Sequence, residues 1–364
     1  MRLSGTLSIY ISRQFLIGLG IVFGLFVVTA FVFDTVELLR RGSGKEAAAF
    51  TLLIEMALLR IPFMAQKVLP FAALIGAILC LTRLTRTQEL IVARAAGVSV
   101  WQFLLPALAI ALVIGAFVVT AFNPFASAMV SRFEQMEARY LQGKSSLLTL
   151  SDAGIWLRQN GGTTTDVVHA RRMTRETLTL HAVVIFRFEA NDRFVQRIDA
   201  SEATLEQDHW DLKNAIITGP DRPAQSFAHY AVSTDLTLEQ IENSFAPPET
   251  LSFWALPGFI RVLEESGFSA VRHRLHWHAT MAIPLLLCAM VLVGATFSLR
   301  LTRRGGIWLL VVAGILTGFL LYFLSDLVLA LGLSGKIPTW LAAWAPAGIF
   351  SLLGVASLFH LEDG

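Results

Sequence analysis

The chain has 364 residues, 55% of them hydrophobic and 15% charged, where an average soluble domain carries about 25% charged residues. That deficit, with a mean hydropathy of +0.62, points to a membrane protein rather than a soluble one. A net charge of +2 leaves no electrostatic footprint for nucleic acid. Two cysteines set inside apolar runs, Cys80 and Cys288, argue against a disulfide framework or a CxxC-type metal site.

In chain order, six runs approach the roughly 20 apolar residues that a spanning helix needs: 15–33, 61–82, 100–122, 279–299, 307–331 and 337–359. The first is longer than the about 7–15 residues of a signal-peptide core and is expected to be a retained span. Gly18, Gly20, Gly24, Pro106, Pro284, Gly314 and Gly318 recur inside the runs, as spanning helices tolerate. Three runs precede residue 123 and three follow 278.

Arginine and lysine placement sets the expected orientation. Segment 1–14 and loops 83–99 and 300–306 hold eight of these residues: Arg2, Arg13, Arg83, Arg86, Arg94, Arg300, Arg303 and Arg304. The opposite short loops hold four, Arg40, Arg41, Lys45 and Lys336. Both termini and the two arginine-rich loops are therefore expected in the cytoplasm.

Between the two groups of spans, residues 140–250 change character. Period-2 patterns such as Thr165-Asp-Val-Val-His-Ala-Arg and Phe194-Val-Gln-Arg-Ile-Asp-Ala alternate with turn signals at Asn160-Gly-Gly, Asn191-Asp and Gln207-Asp. Short strands at this spacing predict a β-sandwich or jelly roll, placed outside the cytoplasm by the orientation argument. Residues 123–143 read as a helical extension of span three, with Asn123-Pro124 at the junction. Residues 252–266 read as a short amphipathic helix at the membrane surface. The fold class is thus a membrane α-helical protein of six spans, three and three, with an inserted extracytoplasmic β domain. The expected divisions are 1–139, 140–250 and 251–364.

The segment Thr82–Ser99 predicts a short helix carrying Glu89 and Arg94, with Gly97 as its C-terminal stop. Such a helix suits docking into a groove of a cytoplasmic partner; the plainer reading is a basic loop that fixes topology. Near the outer ends of the spans, Asp34, Glu37 and Arg41 fall at i, i+3, i+7 and share a helical face, with Arg40 adjacent. Arg60 and Lys67 share another. Guanidinium and ammonium groups there suit substrate phosphates, whereas the plainer reading is snorkelling with intrahelical salt bridges. Asp34 and Glu37 either meet cations bound to a phosphorylated ligand or pair with Arg41. His273, His276 and His278 include an i, i+3 pair of the kind that binds metal, but no third ligand is evident nearby, so interfacial side chains are expected. Gly143-Lys144-Ser145 ends like a P-loop, yet Ala138 stands where the first glycine belongs. No HExxH or GxSxG motif supports a hydrolase.

The stretch Glu89-Leu-Ile-Val-Ala-Arg-Ala-Ala-Gly-Val-Ser, about 20 residues after Leu69-Pro-Phe, resembles the lipopolysaccharide-export permeases of the LptF/LptG family. So does Val36-Glu-Leu-Leu-Arg-Arg. Ser146-Leu-Leu-Thr-Leu-Ser-Asp-Ala-Gly-Ile-Trp-Leu-Arg looks like the G-type paralogue. The resemblance covers the whole chain and implies a permease subunit of an ABC-type transporter of the bacterial inner membrane. That subunit extracts lipopolysaccharide and passes it, through a periplasmic β-jellyroll, to a bridge of similar jellyrolls. It implies a second, LptF-like permease subunit, an LptB-like cytoplasmic ATPase dimer and an LptC-like single-span jellyroll protein as partners. No cofactor is expected on this chain, because ATP is used by the partner ATPase. Carried over residue by residue, the lipid-binding candidates are Asp34, Glu37, Arg40, Arg41, Arg60, Lys67, Arg132 and Arg139. The ATPase-coupling candidates are Arg86, Glu89, Leu90, Arg94 and Gly97. The alternative is a non-transporting mechanotransmission or scaffold subunit with the same coupling loop and outer domain.

Overall fold

The computed structural model describes residues 5–43, 49–95, 97–142, 148–151, 154–160, 164–174, 177, 179–189, 193–206, 208–220, 222–234, 245–299 and 307–362. Arg2, Lys45, Lys144 with its glycine and serine neighbours, and the loop carrying Arg300, Arg303 and Arg304 lie outside them. The chain forms two compact units. One combines Met1–Met136, Glu249–Trp254 and Val271–Gly364; the other combines Glu137–Pro248 and Ala255–Ala270.

The helical unit contains α1 (Gly5–Gly42), α2 (Phe50–Arg86), the short α3 (Glu89–Ala95), α4 (Val100–Phe117) and α5 (Asn123–Met136). The β unit intervenes in the chain, and α7 (Val271–Ser298), α8 (Ile307–Leu333) and α9 (Thr339–Glu362) complete the helical unit. Among the described residues, six helical stretches are long and apolar enough to cross a membrane, the third running through α4 and α5. They outrun the hydropathy runs: α1 has 38 residues, about 57 Å at 1.5 Å per residue, against a hydrocarbon core of about 30 Å. Hydropathy marks only the part that must meet lipid. Backbone hydrogen bonding carries each helix on into its polar ends.

α2 is the centre of this unit. Every residue from Ala72 to Ile78 is buried, as expected of a helix that is apolar on all faces. α1 contributes one narrow stripe, Ile11, Phe15, Leu19 and Val22, spaced to face one side. Glycines let the axes meet. A Cβ on Gly76 would stand 2.8 Å from the Leu19 Cα, and one on Gly18 would stand 3.0 Å from the Gly76 carbonyl oxygen. On the other side, a Cβ on Gly294 of α7 would lie 2.9 Å from the Leu74 carbonyl oxygen. Small residues at such crossings allow the close backbone approach that drives packing where no hydrophobic effect operates between helices.

The third span is broken in register. Between α4 and α5, Val118–Phe122 is a π-helical turn. Its cause is Pro124, which has no N–H for the carbonyl of Thr120 and whose ring crowds that carbonyl. The orphaned Thr120 oxygen accepts instead from the Trp254 Nε1–H at 3.1 Å. One residue before the proline, the buried Asn123 side chain accepts from the backbone N–H of Phe253 at 2.8 Å.

The described residues of the β unit form eight strands: β1 (Leu148–Ser151), β2 (Gly154–Asn160), β3 (Thr164–Ala170), β4 (Arg172–Thr174), β5 (Thr179–Glu189), β6 (Phe194–Leu205), β7 (His209–Gly219) and β8 (Arg222–Ser233). They pair antiparallel in chain order, except that β4 lies on the end of β5 beside β3. This is one continuous meander, not the Greek-key crossovers that define a two-sheet jelly roll. The wrapped shape arises by curling. Gln159 of β2 accepts from Trp210 Nε1 of β7 at 3.4 Å and donates to the Ser233 carbonyl at the end of β8 at 3.3 Å. Strands far apart along the ladder thus face each other across a core of Ile155, Leu157, Ile185, Ile198, Leu212 and the fully buried Trp210. Asp166 of β3 is buried and takes a two-pronged bond from its cross-strand neighbour Arg187, at 2.8 and 2.7 Å. That bond holds the Arg187 proton even more firmly than usual.

The helix α6 (Leu256–Glu265) belongs to this unit. It is amphipathic, as the sequence indicates, but its apolar side, with Leu256 and Leu263 fully buried, is spent on protein packing. The Met173 N–H of β4 donates to the Ser266 carbonyl at 3.0 Å, and Phe268 meets Phe245 edge to face at 4.6 Å. The β unit therefore takes in residues that the sequence division at 250 assigned to an interfacial helix.

Candidate functional sites

Two groups of sequence-predicted residues fall in the helical unit. The first surrounds the end of α1 and the start of α2. Glu37 accepts two bonds from Arg40, both 2.9 Å, and one from Arg41 at 2.7 Å, within a single turn. Asp34 does not join them. It forms an ion pair with Arg60 across the α1–α2 hairpin, and the Arg60 guanidinium also lies 4.8 Å above the Phe133 ring of α5. The shared face expected of Asp34, Glu37 and Arg41 is thus divided between two partners. Arg60, expected as a lipid contact, is occupied as an interhelical clamp tying three helices.

The remaining cations are exposed. The Arg40 side chain is 76% exposed and that of Arg41 52% exposed, so their bonds to Glu37 are weak surface pairs. Lys67 is exposed on α2, its ammonium 4.5 Å over the Phe63 ring. Arg132 is exposed on α5 beside the clamped Phe133. Arg139 belongs to the β unit, in a second π-helical segment, Glu137–Gln142, with its guanidinium 5.5 Å over Tyr140. The histidines of α7 bring no third ligand: among the described residues no three His, Cys, Asp or Glu side chains gather as a metal site.

The second group is the segment after α2, and local chemistry fixes it at both ends. α2 stops at Thr87, whose N–H bonds to the Arg83 carbonyl at 3.0 Å. Gln88 then takes φ +59°, a left-handed conformation that costs a non-glycine residue and turns the chain into α3. At the other end Gly97, φ +84°, closes α3, with its own N–H on the Arg94 carbonyl at 2.9 Å and the Val98 N–H on the Ala93 carbonyl at 3.1 Å. Ser99 and Gln102 then form a reciprocal capping box that starts α4. Seven residues are thus bounded as a short helix between two spans.

Leu90 is buried in the main helical core, while Glu89, Arg94 and Arg86 are exposed. Val92, one turn beyond Glu89, is 67% exposed. Glu89 and Val92 thus set an acid and an apolar side chain one turn apart, both exposed. Two residues that sequence reading missed complete the arrangement. Tyr10 of α1 donates its hydroxyl to Glu89 Oε1 at 3.3 Å, and Gln14, one turn later, accepts from Arg83 at 3.0 Å. Both lie 69 or more positions away in sequence, and periodicity gives no signal for such pairs.

Comparison with known proteins identifies the family. Residues 9–360 match the family described as lipopolysaccharide export system permease LptF/LptG. The chain belongs to the LptF/LptG family. Its relatives include the lipopolysaccharide export system permease protein LptG of Escherichia coli strain K12, 27% identical over 311 residues, covering 82% of each chain. The protein of the same name from Haemophilus influenzae strain Rd is 24% identical over 310 residues, covering 81% of this chain and 82% of its own. For an LptF/LptG member, the six apolar helices around an inserted antiparallel β domain are the expected design.

Proposed function

We propose that this chain is the G-type permease subunit of an ATP-driven extractor of lipopolysaccharide in the bacterial inner membrane, with both termini cytoplasmic and the β unit periplasmic. The family match across nearly the whole chain carries the reading. In this scheme the ATP chemistry belongs to an LptB-like dimer, an LptF-like subunit completes the membrane part, and the β unit hands lipid toward an LptC-like jellyroll. The short α3, with Glu89 and Val92 outward, docks into a groove of the ATPase. Closure of the ATPase then moves α2 and α4, the spans on either side of α3. Arg40, Arg41, Lys67 and Arg132 supply exposed positive charge to lipid phosphates, and Arg139 does so from the β unit.

The test is purification followed by reconstitution. The chain is expected to bring a cytoplasmic ATPase and a second six-span subunit with it, and the reconstituted complex to release lipopolysaccharide only with ATP. A complex whose ATPase neither responds to lipopolysaccharide nor moves it would overturn transport in favour of mechanotransmission. With Glu89→Ala, the complex is expected to insert but lose lipid release; full release by that variant would remove Glu89 from coupling.

A further inference from the structure

Glu89 does not stand alone on its exposed face, and what holds it comes from a helix remote from the segment in sequence. The first turns of α1 present Tyr10 and Gln14 at i, i+4, hence on one face, while the neighbouring Ile11 and Phe15 are buried in the core at 2% and 1% exposure. The ring of Tyr10 packs against the same core that buries Leu90. Its hydroxyl reaches Glu89 Oε1, while Gln14 engages Arg83. A carboxylate offers about four lone-pair sites, so a single bond to one oxygen fixes its rotamer and leaves the other oxygen to meet a partner.

We infer that Tyr10 is a positioning residue for the ATPase contact: it orients Glu89 toward the partner and makes α1 a third span driven by α3. The inference rests on the coupling role proposed above for Glu89. It adds a mechanical consequence. Force entering α3 reaches α2 and α4 through covalent connection, and reaches α1 directly through the Tyr10 hydroxyl and the packing of Leu90, beside the packing of α1 on α2. α1 is the helix whose far end carries Arg40 and Arg41.

The test measures binding of the partner ATPase to the solubilised permease complex, by titration, in four versions: unchanged, Tyr10→Phe, Glu89→Ala, and both together. Tyr10→Phe keeps the ring and its packing and removes only the hydroxyl. It is expected to weaken binding roughly threefold to tenfold, the worth of one ordinary hydrogen bond, because this bond is long and exposed to solvent. In the Glu89→Ala background it is expected to change binding by less than about twofold. Equal weakening in both backgrounds would overturn the inference, because Tyr10 would then act through general packing. Unchanged binding by Tyr10→Phe, with Glu89→Ala impaired, would also overturn it while leaving the coupling role of Glu89 intact. Unchanged binding by Glu89→Ala would remove the coupling reading itself, and the inference with it.

Discussion

A charged side chain near a membrane is defined by its partner, and here the partners sort chemically similar residues into two roles. Asp34 is only 9% exposed and Arg60 25% exposed, so their pair sits where water screens little, and removing one member leaves the other stranded. Asp34→Asn is expected to cost about 2 kcal/mol, below the fully buried range because Arg60 keeps some solvent and its place over Phe133. The measurement is a fall in the melting temperature of the solubilised complex, and an unshifted melt would show the pair to be dispensable. Arg40→Ala should behave oppositely. Its side chain is 76% exposed and its bond to Glu37 spans less than one turn, so the melting temperature is expected to stay unchanged. A photo-crosslinker placed at this position is instead expected to yield lipopolysaccharide adducts. Adducts confined to the opposite face of α1 would remove the site from the lipid path. The charged residues at the end of α1 and the start of α2 were legible in sequence, because charge in an apolar chain stands out. The pairing was not. Helical spacing ties Asp34 to Glu37 and Arg41, but the α1–α2 hairpin brings Arg60 from 26 positions away.

At the scale of elements, the third span shows how one proline reorganises a helix and what repairs it. The Asn123-Pro124 junction was visible in sequence, yet the outcome was a π-helical turn inside a continuous span rather than a simple extension. The difference lies with Trp254, which supplies the donor that Pro124 lacks. Its contribution is testable as a cycle. Trp254→Phe keeps an aromatic ring and leaves the Thr120 carbonyl without that donor, and is expected to cost about 1 kcal/mol. Pro124→Ala restores a backbone N–H, so the same tryptophan change made on top of it is expected to cost less than half as much. Equal cost in both backgrounds, read from thermal melts of the solubilised protein, would show that Trp254 does not serve the orphaned carbonyl. Sequence could not supply this link, since Trp254 and Thr120 are separated by the whole β unit. The ends of α3 were easier to foresee, because Gly97 carries its own signal for a left-handed stop. Gln88, equally left-handed, carries none.

For the whole molecule, hydropathy alone gave the three-and-three layout, because about 20 consecutive apolar residues have few other uses. Alternation gave the β unit but not its chain-order meander, since period-2 patterns report which face is buried and not which strands are neighbours. The covering of α6 was illegible for a related reason: an apolar face states that something covers it, not whether lipid or protein does. Sidedness rests on arginine placement, and it makes a sharp prediction. Cys80 is buried and Cys288 half-buried, so a membrane-impermeant thiol reagent should find little native background. Three exposed positions then report on three segments: Thr87 before α3, Arg193 in the β unit and Ser334 between α8 and α9. In cells with a permeabilised outer membrane, Arg193→Cys and Ser334→Cys are expected to label fully. Thr87→Cys is expected to label only after the inner membrane is opened. An inverted pattern would reverse the orientation. Labelling of Ser334→Cys on the same side as Thr87→Cys would break the six-span count itself, because two crossings separate the outer β unit from the α8–α9 turn only if α7 and α8 both traverse the membrane.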